Sequence, residues 1–466
     1  MSLLGNDRAA RRDAAVRAAV AQGLVSEREP VVGLLDVAGV RASAAALREA
    51  FAEVLPANAA SPGRPGSPAS PGSGGVLHAF AVKAASLVPV LRLLADEGLG
   101  CEVASPGELA LARAAGIPAD RIVLDSPAKT VAELREALAL GVAVNVDSRA
   151  ELDRLDALVG PAGPAGPAAS ALGVRVNPQV GGGAIGAMST ATETSKFGVA
   201  LRDPGARAWL LEAHVRRPWL TRLHAHVGSQ GCPLELMAEG VRIVYELAEE
   251  INEVAGRRQI DTLDIGGGLP VNFASDETVP GHREYARLLA ATVPGLFDGR
   301  YGLVTEFGRS LMAKNGMVVA RVEYAKSAGG RRIAVTHAGA QVATRTVFAP
   351  GAWPLRVAAY DAHGLPKTGG PVPQDVAGPC CFAGDLVAVD RELPPLATGD
   401  HVALLDTGAY YVSNHFAYNA LPRPGIHGWL ETARRVRFAP VRGPQTLDEL
   451  VAESGGAHVD GLSALR

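Results

Sequence analysis

The sequence predicts an α/β protein: a closed (β/α)8 barrel of the TIM type, followed by an all-β domain that also takes in the first strand of the chain. Eight short apolar runs alternate with amphipathic segments between Val76 and Glu306, the signature of a parallel sheet built from βα units. After about Ala313 the pattern changes to short strands of period two. The length of 466 residues, 48% of them hydrophobic, is enough for one large domain and a smaller one.

Met1 to Leu24 is rich in Ala and Arg but carries Asp7 and Asp13, so it reads as an ordinary surface helix and not as a transit peptide. Pro30 to Val37 reads as a strand outside the eight, expected to pair with the β domain, and a helix of period 3.6 follows from about Ser43 to Val54. Pro56 to Gly75 is almost entirely Pro, Gly, Ser and Ala. Such a composition buries too little apolar surface to offset its ordering entropy, so a disordered insert is expected there.

The eight barrel strands are expected at Val76 to Val82, Leu99 to Val103, Arg121 to Leu124, Val142 to Val146, Leu172 to Asn177, Arg222 to Val227, Thr262 to Ile265 and Gly302 to Glu306. Pro106 to Ala115, Val131 to Leu140, Arg149 to Leu158 and Leu234 to Val254 supply helices between them, and Gly160 to Ala169 reads as a surface excursion. Beyond the barrel, strands are expected at Met317 to Tyr324, Arg331 to Val335, Leu386 to Val389 and His401 to Leu405. The expected domains are 1–42, an N-terminal helix and strand joining the β domain; 43–313, the barrel with its insert at 56–75; and 314–466, the β domain.

Composition excludes several classes of function. A formal charge of −3 leaves no basic excess to neutralise phosphates, which argues against nucleic acid and for a small-molecule substrate. No apolar run reaches the roughly 18 to 20 residues of a membrane span, and the start lacks the apolar core of a secretory signal, so a cytoplasmic protein is expected. Cys380 and Cys381 are adjacent while Cys101 and Cys232 stand alone, which is neither a disulfide framework nor a metal pattern.

In a barrel the carboxyl ends of the strands form the active-site face. Here they present Lys83, Glu102, Asp125, Asp147, Asn177, His226, Gly266 to Gly268 and Glu306. Lys83, in His78-Ala-Phe-Ala-Val-Lys-Ala-Ala85, sits at a strand-to-helix turn, where a desolvated amine can form a Schiff base with an aldehyde cofactor; the bland alternative is a solvated surface lysine. Asp264-Ile-Gly-Gly-Gly-Leu269 reads as an anion-binding nest or as a tight turn. In His224-Ala-His-Val-Gly-Ser-Gln230 the two histidines face one side of a strand; one can stack on a flat ring, a core role is the alternative, and no third metal ligand stands at a convincing spacing. Thr305-Glu-Phe-Gly-Arg-Ser310 offers Glu306 to a ring nitrogen and Arg309 to a phosphate or carboxylate, unless the two form a salt bridge with each other. Gly378-Pro-Cys-Cys-Phe-Ala-Gly-Asp385 and Thr407-Gly-Ala-Tyr-Tyr-Val-Ser-Asn414 are glycine-bounded loops of the β domain.

Phe80-Ala-Val-Lys-Ala84, Ser195-Lys-Phe-Gly198, His226-Val-Gly-Ser-Gln230, Gly266 to Gly268, Glu306-Phe-Gly-Arg309, Gly378-Pro-Cys-Cys381 and Gly408-Ala-Tyr410 fall in one order that resembles the fold-type III pyridoxal-phosphate decarboxylases, the diaminopimelate and ornithine decarboxylase group. The resemblance runs from about Val31 to Trp429. It implies pyridoxal 5'-phosphate held by Lys83, with His226 on the ring face, Glu306 at the pyridine nitrogen, and Ser229, Gly267, Gly268 and Tyr410 on the phosphate. Glu102, Gly308 and Arg309 join the cofactor set by the same resemblance. It further implies a head-to-tail homodimer with shared active sites, in which Cys381 of one subunit reprotonates Cα in the other, and in which Asp385 is the structural acid of the cysteine loop.

The sequence departs from the family at the substrate end. Diaminopimelate decarboxylases carry glutamate, and ornithine decarboxylases aspartate, directly after the cysteine to bind the distal ammonium; here stands Phe382. Arg345 resembles the arginine for a distal carboxylate, but Thr346 replaces the proline after it and Ala349 a nearby tyrosine. Phe307 for a proline and Ala85 for an asparagine are smaller changes. The implied substrate contacts are Arg309, Arg345, Phe382 and Tyr410. The expected activity is decarboxylation of an amino acid with an acidic or bulky neutral tail, with meso-diaminopimelate as the alternative substrate. A racemase of the same barrel would place arginine at the ring nitrogen and a tyrosine as base, against Glu306 and Cys381. A non-catalytic regulator would have no use for Lys83, the glycines and Cys381.

Overall fold

Two compact units divide the chain: Met1–Gly39 with Phe273–Glu277 and Ala313–Arg466 in one, Val40–Asn272 with Thr278–Met312 in the other. The computed structural model describes residues 3–56, 75–164, 169–433 and 435–465, so residues 57–74 of the insert expected at 56–75, and residues 165–168 of the Gly/Pro patch, lie outside the described residues. Helix α1 (Leu3–Ala21) and strand β1 (Val31–Asp36) come first, and helix α2 (Val37–Ala52) leads on.

The second unit is the barrel. Its strands are β2 (Val76–Ala81), β3 (Gly100–Val103), β4 (Ile122–Leu124), β5 (Ala143–Val146), β6 (Leu172–Asn177), then, after a two-residue β7 (Val199–Ala200) that pairs only with β6, β8 (Leu220–His224), β9 (Thr262–Asp264) and β10 (Gly302–Thr305). All pairs are parallel, β10 lies against β2, and pairing of β5 with β6 closes the ring. Each expected strand is present within a few residues at either end. Small side chains make closure possible: Ala79, Val123, Ala143 and Val304 from four strands form one buried cluster.

Between the strands run α3 (Val88–Asp96), α4 (Pro106–Ala114), α5 (Val131–Leu140), α6 (Arg149–Val159), α7 (Ala206–Arg216), α8 (Leu234–Ala255) and α9 (His282–Thr292). Their starts are written locally: Ser105, Thr130 and Ser148 each accept a backbone N–H three residues on, and Glu133 completes a capping box with Thr130. On α8 the buried residues Met237, Val241, Val244, Ala248 and Ile251 recur at three- and four-residue steps, which turns one face to the core. A short α10 (Arg309–Met312) ends the unit. Phe307, the residue in the usual proline's place, fills the space between Phe51, His282 and Tyr285, with ring centroids 5.2 to 6.3 Å apart.

The first unit is built on β11 (Gly316–Ala328), β12 (Arg331–Thr336), helix α11 (Ala340–Phe348), β13 (Val357–Tyr360), β14 (Val372–Ala377), β15 (Leu386–Leu393), β16 (His401–Leu405), β17 (Gly425–Glu431), β18 (Val436–Arg442) and helix α12 (Leu447–Glu453). The strand order is β15-β14-β12-β11-β1-β17-β18, with β16 also on β11 and β13 on β16. As expected, β1 joins this sheet, antiparallel to β11 and parallel to β17.

Two expectations change. The domain is mostly β, with α1 and α11 packed into it, and β13, β14, β17 and β18 go beyond the strands read from the sequence. The N-terminal helix is not merely a surface helix: Ala15, Val16 and Ala19 are fully buried in a core with Val32, Leu34, Tyr360 and Trp429.

Candidate active site

Lys83 stands in a single 3-10 turn, Val82–Ala84, directly after β2. Its ammonium pairs with the carboxylate of Glu102 from β3, whose side chain is fully buried. Burial pushes the Glu102 carboxyl up to about 8; Lys83 opposes the shift, while Glu306 and Asp125 add to it. The sequence thus placed the two residues on one rim, and the structure joins them.

A buried charge network occupies the same strand ends. Asp125, just past β4, accepts from Arg175 of β6 at 3.3 Å, and Arg175 also lies 3.8 Å from Asp147. On its far side Asp125 lies 3.3 Å from Nδ1 of His224, the last residue of β8. Nε2 of His224 lies 3.5 Å from Glu306, and Nδ1 of His226 lies 3.6 Å from the same carboxylate. Burial alone would raise the Glu306 carboxyl, but His224, His226 and Lys83 outweigh it and hold the group well below its usual range. Burial pushes the Asp264 carboxyl up to about 7.

Both oxygens of Glu306 are buried and lack a hydrogen-bond partner among the described residues. A buried carboxylate kept charged beside two histidines, with neither oxygen in a well-formed hydrogen bond, suits a further cation or a protonated ring. His224, His226 and Glu306 bring their donor atoms within 4.8 Å, so the third group that was missing from the histidine pair comes from a strand end 80 residues on. Both nitrogens of His224, however, already face carboxylates, which makes it an ion-pair partner and not a ligand.

The glycines at the end of β9 are fixed by crowding. A Cβ on Gly267 would meet the Glu306 carbonyl oxygen at 2.1 Å, and one on Gly268, at φ +98°, would meet the Gly228 oxygen at 1.8 Å. Gly267 donates its N–H toward His226 Nδ1 at 3.3 Å. Ser229 follows the histidine strand, and the buried Arg309 guanidinium reaches its Oγ at 3.5 Å, where a pairing with Glu306 was the alternative. Gly308 is required as well, since its Cβ would lie 2.8 Å from that of Ala84. Phe197 of the Ser195-to-Gly198 motif lies under the Arg175 guanidinium at 4.4 Å, which gives that loop a place in the network.

The remaining candidates belong to the β domain and form a group of their own. Asp385 is buried and accepts from the N–H groups of Ala340 at 2.6 Å and Cys380 at 2.7 Å, which shapes the loop that leaves Cys381 exposed. Phe382 stacks on Phe348 at 5.6 Å and meets Tyr418 edge-on at 6.0 Å; Phe416 closes the ring of four by stacking on Tyr418 and standing edge-on to Phe348. The Arg345 guanidinium lies between the rings of Tyr410, at 4.7 Å, and Trp353, at 5.1 Å, with Nη1 lacking a hydrogen-bond partner among the described residues. Tyr410 itself takes a left-handed backbone, φ +64°.

Sequence reasoning missed the role of Arg175 and of Asp264 in this network and left His224 undecided. Strand alternation put His224 on the same side as His226; its two acidic partners become visible only when the carboxyl ends of β4, β8 and β10, which are not neighbours in the sheet, meet on one rim of the barrel.

Comparison with known proteins agrees with this geometry. Residues 73–313 match the family model described as pyridoxal-dependent decarboxylase, pyridoxal binding domain. The chain is 31% identical over 353 residues to a diaminopimelate decarboxylase of Aquifex aeolicus, covering 74% of this chain and 79% of that one. It is 33% identical over 350 residues to that of Pseudomonas aeruginosa, with 74% and 80% covered. A crystal structure of the Helicobacter pylori diaminopimelate decarboxylase complexed with L-lysine superposes with a TM-score of 0.74 at 26% identity, over 92% of this chain and 97% of that one. With Lys83 at the end of the first barrel strand and Glu306 buried opposite the histidines, the chain belongs to the pyridoxal-dependent decarboxylases, and it is a pyridoxal 5'-phosphate-dependent amino-acid decarboxylase.

Proposed function

We propose that this enzyme decarboxylates an amino acid whose distal end is acidic or bulky and neutral, and not a free ammonium. The reading rests on Phe382, which stands where diaminopimelate decarboxylases carry a glutamate for that ammonium and which packs in a four-ring aromatic cluster. A buried ammonium without a counter-charge costs several kcal/mol. Cation–π attraction returns about 0.5 to 2 kcal/mol of it, so a basic tail is disfavoured.

The barrel residues fit the cofactor, because Glu306, held ionised beside two histidines, suits a protonated ring nitrogen, and the glycine turn, with Gly266 at φ +65° and Gly268 at φ +98°, is backbone of the kind that makes an anion-binding nest. When bound, pyridoxal phosphate supplies an electrophilic carbonyl and a ring that accepts the electrons left behind by the departing carboxylate. In this proposal Lys83 holds the cofactor with Glu102 beside it, His226 covers the ring face, and Ser229, Gly267, Gly268, Gly308 and Arg309 bind the phosphate. Tyr410 adds a phosphate contact, and Arg345 remains for an acidic tail. Cys381, exposed within one chain, donates the proton to Cα in the site of a second copy, which makes a homodimer the working unit.

A second reading, meso-diaminopimelate decarboxylation, is favoured by the names of the relatives and by Arg345, whose unpartnered Nη1 suits a distal carboxylate. The two separate in one experiment: kcat/KM for meso-diaminopimelate against acidic amino acids and N-acylated diamino acids, in the native protein and in Phe382→Glu. Discrimination of roughly 10⁴-fold against diaminopimelate, relieved in the variant, is expected where a site leaves a polar group unpaired. Turnover of diaminopimelate by the native enzyme at the rate of its best substrate would establish the second reading.

A further inference from the structure

His224 is fully buried at the end of β8 and has a carboxylate on each side: Asp125 at 3.3 Å from Nδ1 and Glu306 at 3.5 Å from Nε2. A neutral imidazole carries one N–H and one bare lone pair, so with two ionised neighbours one of its nitrogens would face a carboxylate acceptor to acceptor in a dry interior. One further proton must sit among the three groups. Arg175, bound to the other oxygen of Asp125 at 3.3 Å, keeps that carboxylate ionised, which leaves His224 or Glu306 as the carrier.

We propose that His224 is a positioning residue for the ring-nitrogen partner: a doubly protonated imidazolium that ties Asp125 to Glu306 and keeps Glu306 both ionised and fixed in place. Charge then balances, Arg175 and His224 against Asp125 and Glu306. The other charged groups around the imidazole are Asp264 at the end of β9, which adds to its positive character, and Arg222 on its own strand, which is buried beside Asp264. Burial would lower the His224 imidazole, but Asp125, Glu306 and Asp264 together raise it well above its usual value. Sequence alternation paired His224 with His226; the structure gives them different work, since His226 keeps a partly exposed face while His224 has none.

The proposal rests on Glu306 as the partner of the cofactor ring, and its test separates the two ideas. Holoenzyme labelled with 15N-histidine should show His224 with both ring nitrogens protonated from pH 6 to 9. In Asp125→Asn the same signal should titrate at lower pH, because one of its two counter-charges is gone. His224→Gln should weaken pyridoxal phosphate binding by about tenfold or more, as expected for directly coupled groups. A His224 signal with one bare nitrogen at pH 7 would place the proton on Glu306, and one that Asp125→Asn leaves unmoved would remove the tie to Asp125; either overturns the proposal. If His224→Gln fails to fold, the Asp125→Asn spectrum decides alone. Reduction with borohydride probes the cofactor assignment separately: a label on a residue other than Lys83 would sink that assignment and leave the imidazolium result standing.

Discussion

At the scale of single residues, Glu102 shows how a binding pair can act against the fold. Its carboxyl is pushed up to about 8 by burial, so below that pH the folded protein holds a proton that the unfolded chain, with an ordinary glutamate near 4.3, has already released. The sign follows: the stabilising contribution is complete below about pH 4, shrinks as the pH rises and is gone above about 8. Asp264, pushed up to about 7, acts in the same direction. The cofactor-free protein should therefore melt at falling temperature as the pH rises from about 5 to about 8, and Glu102→Gln, which cannot titrate, should flatten that slope by a few degrees. Parallel melting curves for the two proteins would show that Lys83 keeps Glu102 ionised throughout.

At the scale of elements, the loop of Gly378 to Asp385 is held by one carboxylate. Asp385 ties the start of α11, through Ala340, to the cysteine loop, through Cys380, while Gly339 and Gly378 crowd against it so closely that a Cβ on either would lie within 2.4 Å of its oxygens. Asp385→Ala should leave two buried N–H groups without an acceptor. Each costs about 1 to 3 kcal/mol, so the β domain should lose stability, and amide exchange should quicken first at 378–385. Exchange that stays slow there would mean the loop holds its shape by other means.

Elements also show what the sequence reveals and what it hides. The barrel strands were legible because each is a short apolar run ended by a polar or glycine residue and followed by an amphipathic helix with its own cap. The β domain was half legible. β14 reads Val-Pro-Gln-Asp-Val-Ala, and its Gln374 and Asp375 are buried polar groups, with Gln374 bonded to the Leu393 carbonyl at 2.8 Å; period-two hydrophobicity fails where polar side chains point inward. β18 contains Pro440, which an edge strand tolerates and a sequence rule penalises. In the site, Lys83, His226, the glycines and Glu306 were legible from local motifs. The link from Arg175 through Asp125 to His224 was not, since it joins residues of three strands that only closure of the barrel makes neighbours.

For the whole molecule, the proposed division of labour between Lys83 and the Cys381 of a second copy makes activity a property of the pair. Lys83→Ala and Cys381→Ala proteins, each inactive, should regain activity when their subunits are exchanged, because a mixed dimer holds one complete site. The expected ceiling is about half of the mixed dimers' sites. Mixed dimers shown to form and yet to stay inactive would assign the proton to a group in the same chain.

β1 lies between β11 and β17 in the middle of its sheet, and this position carries a consequence for the birth of the protein. The strand is made about 280 residues before β11 and about 390 residues before β17, the two strands that flank it. At about 5 to 20 residues per second, a stretch of apolar backbone with both of its edges unsatisfied waits on the order of tens of seconds for its neighbours. Throughout that interval Val31 to Asp36 is a template for any other strand it meets, including the same segment on an adjacent nascent chain. The yield of soluble enzyme should thus depend on how fast it is translated and on the chaperones at hand, quite apart from how stable the finished fold is.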